Sequence, residues 1–171
     1  MFKSLGLIIL ISLFGGCGYK PSSYYVKEVV GSKIYASVKI LIEEPENSVL
    51  IEDALKEALK TRLNVSFAKE QNSDSEIEVS LKNLYFRPLQ SKDGYVVLYR
   101  TEITLKAKHI YMVGSLQKVS YYDLEGFYEF PVRSNASISV AIKFDAIKFA
   151  ALKALDTLIP KLALKGSMVG E

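Results

Sequence analysis

The chain has 171 residues, of which 49% are apolar and 24% charged, so it can bury one core and is neither disordered nor fibrous. Its formal charge of +3 is too mild to point to nucleic acid as a partner. With a single cysteine an intrachain disulfide is excluded, and Cys17 and His109 are too few soft ligands for a structural metal cluster.

The chain opens with Lys3, an apolar run from Leu5 to Phe14, and the small residues Gly15 and Gly16 directly before Cys17. That layout is an export signal, and the run stops well short of the roughly 20 apolar residues that a membrane span needs. Residues 1–16 are expected to be cleaved. Gly-Gly-Cys resembles the lipobox of bacterial lipoproteins, with Phe14 where the usual pattern has Leu. The resemblance implies that Cys17 becomes the first mature residue, carrying a diacylglyceryl group on sulfur and a further chain such as palmitate on its amine. Each buried methylene contributes about 0.8 kcal/mol, and more than one chain makes membrane residence stable. Gly18 stands where a retention signal would place Asp, so the general lipoprotein sorting rule points to the outer membrane, at its periplasmic face.

Residues 17–32 hold Pro21, Ser22 and Ser23 without a clean period and read as a lipidated tether, leaving 33–171 as a single domain. Ile34, Ala36, Val38, Ile40 and Ile42 alternate with polar residues as a first strand. Pro45 and Asn47 or Ser48 then open a helix with the stripe Ile51, Leu55, Ala58, Leu59. Ile77, Val79 and Leu81 mark a second strand. A turn-rich connection, RPLQSKDG, leads into a long third strand from Tyr95 to Val113, with Arg100, Glu102, Lys106 and Lys108 on its solvent face.

Gly114-Ser115 fits a two-residue type II′ turn into a fourth strand. Counting back from Val113 opposite Leu116 sets Leu105 against Leu124 and Tyr99 against Phe130 inside, with Lys106 against Asp123 and Arg100 against Glu129 outside. After Pro131, residues Ser134 to Ser137 are expected to cap a last helix. Its stripe is Ile138, Ala141, Phe144, Ile147, Ala151, Leu155 and Leu158, and Pro160 ends or kinks it. The order β-α-β-β-β-α, with strands charged on one face, predicts an α+β two-layer sandwich. It has a four-stranded, mostly antiparallel (mixed) sheet and two helices packed on one face.

Groups for catalysis are sparse. His109 alternates inward and reads as a satisfied core residue, while Glu43 and Glu44 read as a solvated strand end. No phosphate-binding Gly loop, Gly-x-Ser-x-Gly elbow or His-Glu-x-x-His helix occurs, which predicts a protein that is not an enzyme and has no cofactor. Tyr95, Tyr99, Tyr111, Tyr121, Tyr122, Phe127, Tyr128 and Phe130 crowd the hairpin, chiefly as core and cross-strand pairs. Arg87, Lys92 and Arg133 sit near two connections, and such cations either are solvated or meet phosphates.

Cys17-Gly18-Tyr19-Lys20-Pro21, the long strand GYVVLYRTEITLKAKHIY and the helix FAALKALDTLIPKL together resemble the LPS-assembly lipoprotein family, LptE (RlpB). The resemblance covers nearly the whole mature chain. It implies a lipid-anchored protein that plugs and helps assemble an LptD-like outer-membrane β-barrel and binds lipopolysaccharide or lipooligosaccharide. Basic residues in the connections before the third strand and before the last helix touch the lipid in that family, which places Arg87, Lys92 and Arg133 as lipid-phosphate contacts. The alternative is a periplasmic accessory lipoprotein of a transporter or secretion apparatus that binds only protein.

Overall fold

A two-residue turn fixes the register of the longest strand pair. Gly114 has φ +59°, a conformation that costs glycine little, and Val113 pairs with Leu116 across it. β4 (Tyr95–Val113) and β5 (Leu116–Pro131) then run antiparallel with Leu105 opposite Leu124, Tyr99 opposite Phe130, Lys106 opposite Asp123 and Arg100 opposite Glu129, as the pattern predicts.

The computed structural model describes residues 22–40, 44–133 and 136–169. In chain order it has α1 (Ser22–Val30), β1 (Lys33–Val38), α2 (Pro45–Leu63), β2 (Ser66–Phe67), β3 (Ser75–Lys92), β4, β5, α3 (Val140–Asp156) and α4 (Leu158–Val169). The sheet order is β2-β1-β3-β4-β5, with β1 parallel to both β2 and β3 and the other pairs antiparallel. Parallel β1 and β3 need a crossover, and α2 supplies it. The fold is the expected α+β two-layer sandwich; the two-residue β2 adds a fifth strand at the edge.

One sheet face and the helices share the core. Ile34, Ile77, Val79, Ile103, Leu105 and Leu124 are buried against Ile51, Leu55 and Leu59 of α2, Ala150, Ala151 and Leu155 of α3, and Leu158 and Leu162 of α4. The helices are tied above the sheet by a bidentate pair between Arg62 and Asp156, at 2.9 and 3.2 Å, and by Lys148 to Glu57 at 3.1 Å. A smaller cluster fills the other end, where Phe130, Val132 and Ala146 meet Phe86, Tyr99 and Ile142.

Several expectations need correction. Part of the expected tether is structure: residues 22–30 form a helix that buries Val26, Val29 and Val30, a stripe of three that is too short to announce itself. The first strand stops at Val38, and Ile40 is 69% exposed rather than core; Ile42 and Glu43 lie outside the described residues. The connection RPLQSKDG is mostly strand, because β3 runs on to Lys92 and only Asp93-Gly94 turns, both left-handed as a type I′ hairpin requires. Pro88 is tolerated there because β1 pairs only as far as Val79, which leaves that edge of β3 without a strand partner among the described residues, and an irregularity in the β3–β4 register follows it.

The last helix is capped by Ser139, whose hydroxyl accepts from the Ile142 N–H at 3.3 Å, and not by the 134–137 segment, of which 134 and 135 lie outside the described residues. Ala141 and Phe144 face solvent while Ile142 and Ala146 turn toward Phe130. The helix breaks at Thr157, and Pro160 occupies the first turn of α4. A proline lacks the N–H and crowds the carbonyl four residues back, so a continuous helix cannot pass through Asp156.

The Arg100–Glu129 pair tests how little an exposed ion pair contributes. The guanidinium donates to one carboxylate oxygen at 2.5 and 3.0 Å, with both side chains about a third exposed. A double-mutant cycle to Ala is expected to return about 0.5 kcal/mol or less by urea unfolding, and a coupling of several kcal/mol would contradict that.

Candidate functional site

The sheet face opposite the helices is left uncovered among the described residues. Alternation sends Tyr85 and Arg87 of β3, Arg100, Glu102, Lys106 and Lys108 of β4, and Asp123, Glu125, Phe127 and Glu129 of β5 to that side. Charges of opposite sign alternate across the strands. Arg87 pairs with Glu102 at 2.6 Å, Arg100 with Glu129 and Lys82 with Asp123 at 3.4 Å.

Aromatic rings lie among these pairs. Arg87 sits 5.5 Å from the centre of the Tyr85 ring and Arg100 4.8 Å from that of Phe127, while Lys106 lies over Tyr121 at 5.2 Å. Tyr85, Phe127 and Tyr121 are each about half exposed. The guanidinium planes are therefore desolvated on one side by a ring and fixed at their edge by a carboxylate. Tyr85, Arg87, Arg100, Glu102, Thr104, Glu125 and Phe127 together line a shallow open hollow of about 540 Å3. Aromatic and arginine side chains held rigid on strands are the chemistry of a protein-recognition face.

The three cations singled out by the sequence are not equivalent. Lys92 pairs with Tyr95 and Pro131 with Leu98, so the β3–β4 turn and the exit of β5 share one end of the sheet, as expected. Arg133 leaves β5 just after Val132, whose N–H donates to the Val97 carbonyl at 2.9 Å, and lines a second hollow with Ala136, Ser139 and Ile142. Arg87 instead lies inside the open face, five residues or roughly 16 Å up the strand from Lys92, and is already paired with Glu102. Cys17 lies outside the described residues.

His109 is not a site in the open but a core residue, as expected. It is fully buried and stacks on Tyr111 at 4.7 Å, and among the described residues neither ring nitrogen makes a well-formed hydrogen bond, the nearest polar neighbour being the Val29 backbone of α1. Burial pushes the imidazole down to about 4, with the backbone of Val29 on α1 acting weakly the other way. Elsewhere Asp74 accepts from the N–H groups of Ser32 and Lys33, both at 2.8 Å, and these bonds hold its carboxyl below the usual range. Among the described residues no cluster of three or more His, Cys, Asp or Glu could hold a metal ion, and no helix is long and apolar enough to cross a membrane.

The solvent face of the third and fourth strands is legible in the sequence, whereas the share of β3 in it is not, because that depends on pairing β3 with β4. The dipeptide Asp93-Gly94 was the available signal: counting back from it places Arg87 opposite Arg100 and diagonal to Glu102.

No protein-family model and no curated protein matches this chain. Its fold does match solved structures. It is similar to the rare lipoprotein B of Shewanella oneidensis, at 13% identity and a TM-score of 0.55, over 81% of this chain and 99% of that one. It is also similar to a protein of Xanthomonas campestris, at 15% identity and a TM-score of 0.50, over 82% and 88% of the two chains. At such identities the likeness establishes a shared α+β fold.

Proposed function

We propose that this chain is an outer-membrane lipoprotein, anchored through Cys17 at the periplasmic face, that assists lipopolysaccharide transport by assembling with a large LptD-like β-barrel. The observation that carries this reading is the uncovered sheet face, long, rigid and set with arginine–aromatic pairs, in a fold that spans 99% of a rare lipoprotein B. The face offers a barrel wall fixed charges and rings, and the helices on its other side keep it stiff. Mass spectrometry of the mature N-terminus is expected to show an acylated Cys17, and density fractionation to place the chain with outer-membrane markers. A free thiol, or an inner-membrane band, would count against the reading.

Binding of lipopolysaccharide through Arg87, Lys92 and Arg133 is the finer part of the proposal. Lipid phosphates can take charge-assisted hydrogen bonds worth about 1.5 to 3 kcal/mol each, less where solvent and salt screen them. Changing all three to Ala is expected to lower binding about tenfold or more at low salt without unfolding the chain, since none is a core residue. Arg87→Ala alone should have the smallest effect, because Glu102 already engages that guanidinium. The same ion pair favours the second reading, an accessory lipoprotein of a transporter or secretion apparatus that binds protein only, and unchanged lipid binding in the triple variant would select it.

A further inference from the structure

Helix α4 carries an exposed apolar strip that differs in chemistry from the open sheet. Lys161, Leu164 and Met168 fall within one exposed arc at 3.6 residues per turn, and the half-buried Lys165 lies at its border with the buried Leu158 and Leu162. Leu164 is 60% and Met168 65% exposed, and the helix contains no acidic residue.

Its position in the fold sets what it can meet. The α4 backbone passes so close to α1 that a side chain at Gly166 would strike the Tyr25 carbonyl. Tyr25 lies in the first turn of α1, three residues after Ser22. Ser22 follows Cys17 by five residues, which reach about 18 Å even when fully extended. The β3–β4 turn lies at the far end of β4, whose 19 residues span roughly 60 Å. The anchor therefore draws the α1–α4 end, and not the Lys92 end, to the bilayer.

We propose that the Leu164–Met168 face of α4 rests on the anionic phospholipid surface in which the acyl chains of Cys17 are held. This rests on the anchoring proposed above. Leu164 and Met168 enter the boundary between headgroups and acyl chains, and the Lys165 ammonium meets lipid phosphates along an aliphatic stem that lies against the same apolar region. Lys161 is committed elsewhere, since its ammonium donates to the Asp123 carbonyl at 2.5 Å and pins α4 to the edge of β5. The contact fixes how the sandwich stands on the membrane, with the lipid under α4 and the sheet face turned to a protein partner.

The test uses the full lipidated chain in vesicles of phosphatidylcholine and phosphatidylglycerol. Acylation consumes the only native thiol, so Leu164→Cys, Met168→Cys and Lys92→Cys each carry a single site for an environment-sensitive fluorophore. All three positions are exposed, so folding is not at risk. Quenching by brominated lipid is expected to be about threefold or more stronger at 164 and 168 than at 92, and to fall when phosphatidylglycerol is left out. Equal quenching at the three sites in an acylated chain overturns the inference and leaves the anchoring intact. A mass showing Cys17 without an acyl chain overturns both.

Discussion

Gly126→Val is expected to lower unfolding stability by about 3 kcal/mol or more, the largest effect of any single substitution considered for this chain. Gly126 lies on β5 opposite Ile103, where α3 crosses the strand. A Cβ at that position would meet the Ala150 carbonyl oxygen and the Ala154 nitrogen and Cα, all backbone atoms that no rotamer change can move aside. The helix must then translate away from the sheet and take Ala151 and Leu155 out of the core, so the cost is a loss of packing along the whole contact. Gly126→Ala should already show part of this. Gly114→Ala is the contrast: open space surrounds its Cβ position, and only the positive φ is penalised, at about 1 kcal/mol. Equal urea midpoints for the Gly126 and Gly114 variants would contradict the close approach of α3.

The second large effect is a loss of stability in mild acid that belongs to His109. The unfolded chain takes up this proton as pH falls through about 6.5, whereas the buried imidazole resists it down to about 4. Between these values the unfolded state binds more protons, so stability is full above the window, declines as pH falls through it, and levels off below it. The difference amounts to about 3 kcal/mol. Two carboxyls nearby are shifted as well. Asp74, held below the usual range, adds a loss at still lower pH, and Glu76, raised chiefly by burial with Glu70 adding, acts in the opposite direction. His109→Phe keeps an aromatic ring against Tyr111 and cannot titrate, so its stability between pH 7 and 4.5 should be nearly flat where the native chain declines. Parallel slopes for the two chains would show that the imidazole is not the group responsible.

How much of this was legible in the sequence depended on whether both faces of an element carried a pattern. The β4–β5 register was fixed by one turn and checked twice, by Leu105 with Leu124 on the buried side and Arg100 with Glu129 on the other, and the structure has it residue for residue. Helix α1 had only Val26, Val29 and Val30 to show, in a stretch rich in turn formers, and it forms because Gly166 of a helix far along the chain lets the two backbones touch. No local signal encodes that contact. The pairing of Arg87 with Glu102 was hidden behind Pro88, which reads as a break but sits where β3 has, among the described residues, no strand neighbour to lose a bond to. For His109 the inward alternation was visible, while the depth of its burial depends on α1 closing over it with Val29 beside the ring.

The open sheet face makes the central claim testable at single-residue resolution. A photo-activatable residue placed at Thr104 or Phe127, in cells that export and anchor the chain, should capture one partner. That partner should be an outer-membrane protein whose gel mobility shifts on heating, as a β-barrel's does. The same residue at Glu57, above the helices, should capture none of it. Cross-links from Thr104 and Phe127 that lead only to inner-membrane or soluble periplasmic proteins, or the same barrel captured equally well from Glu57, would contradict the account.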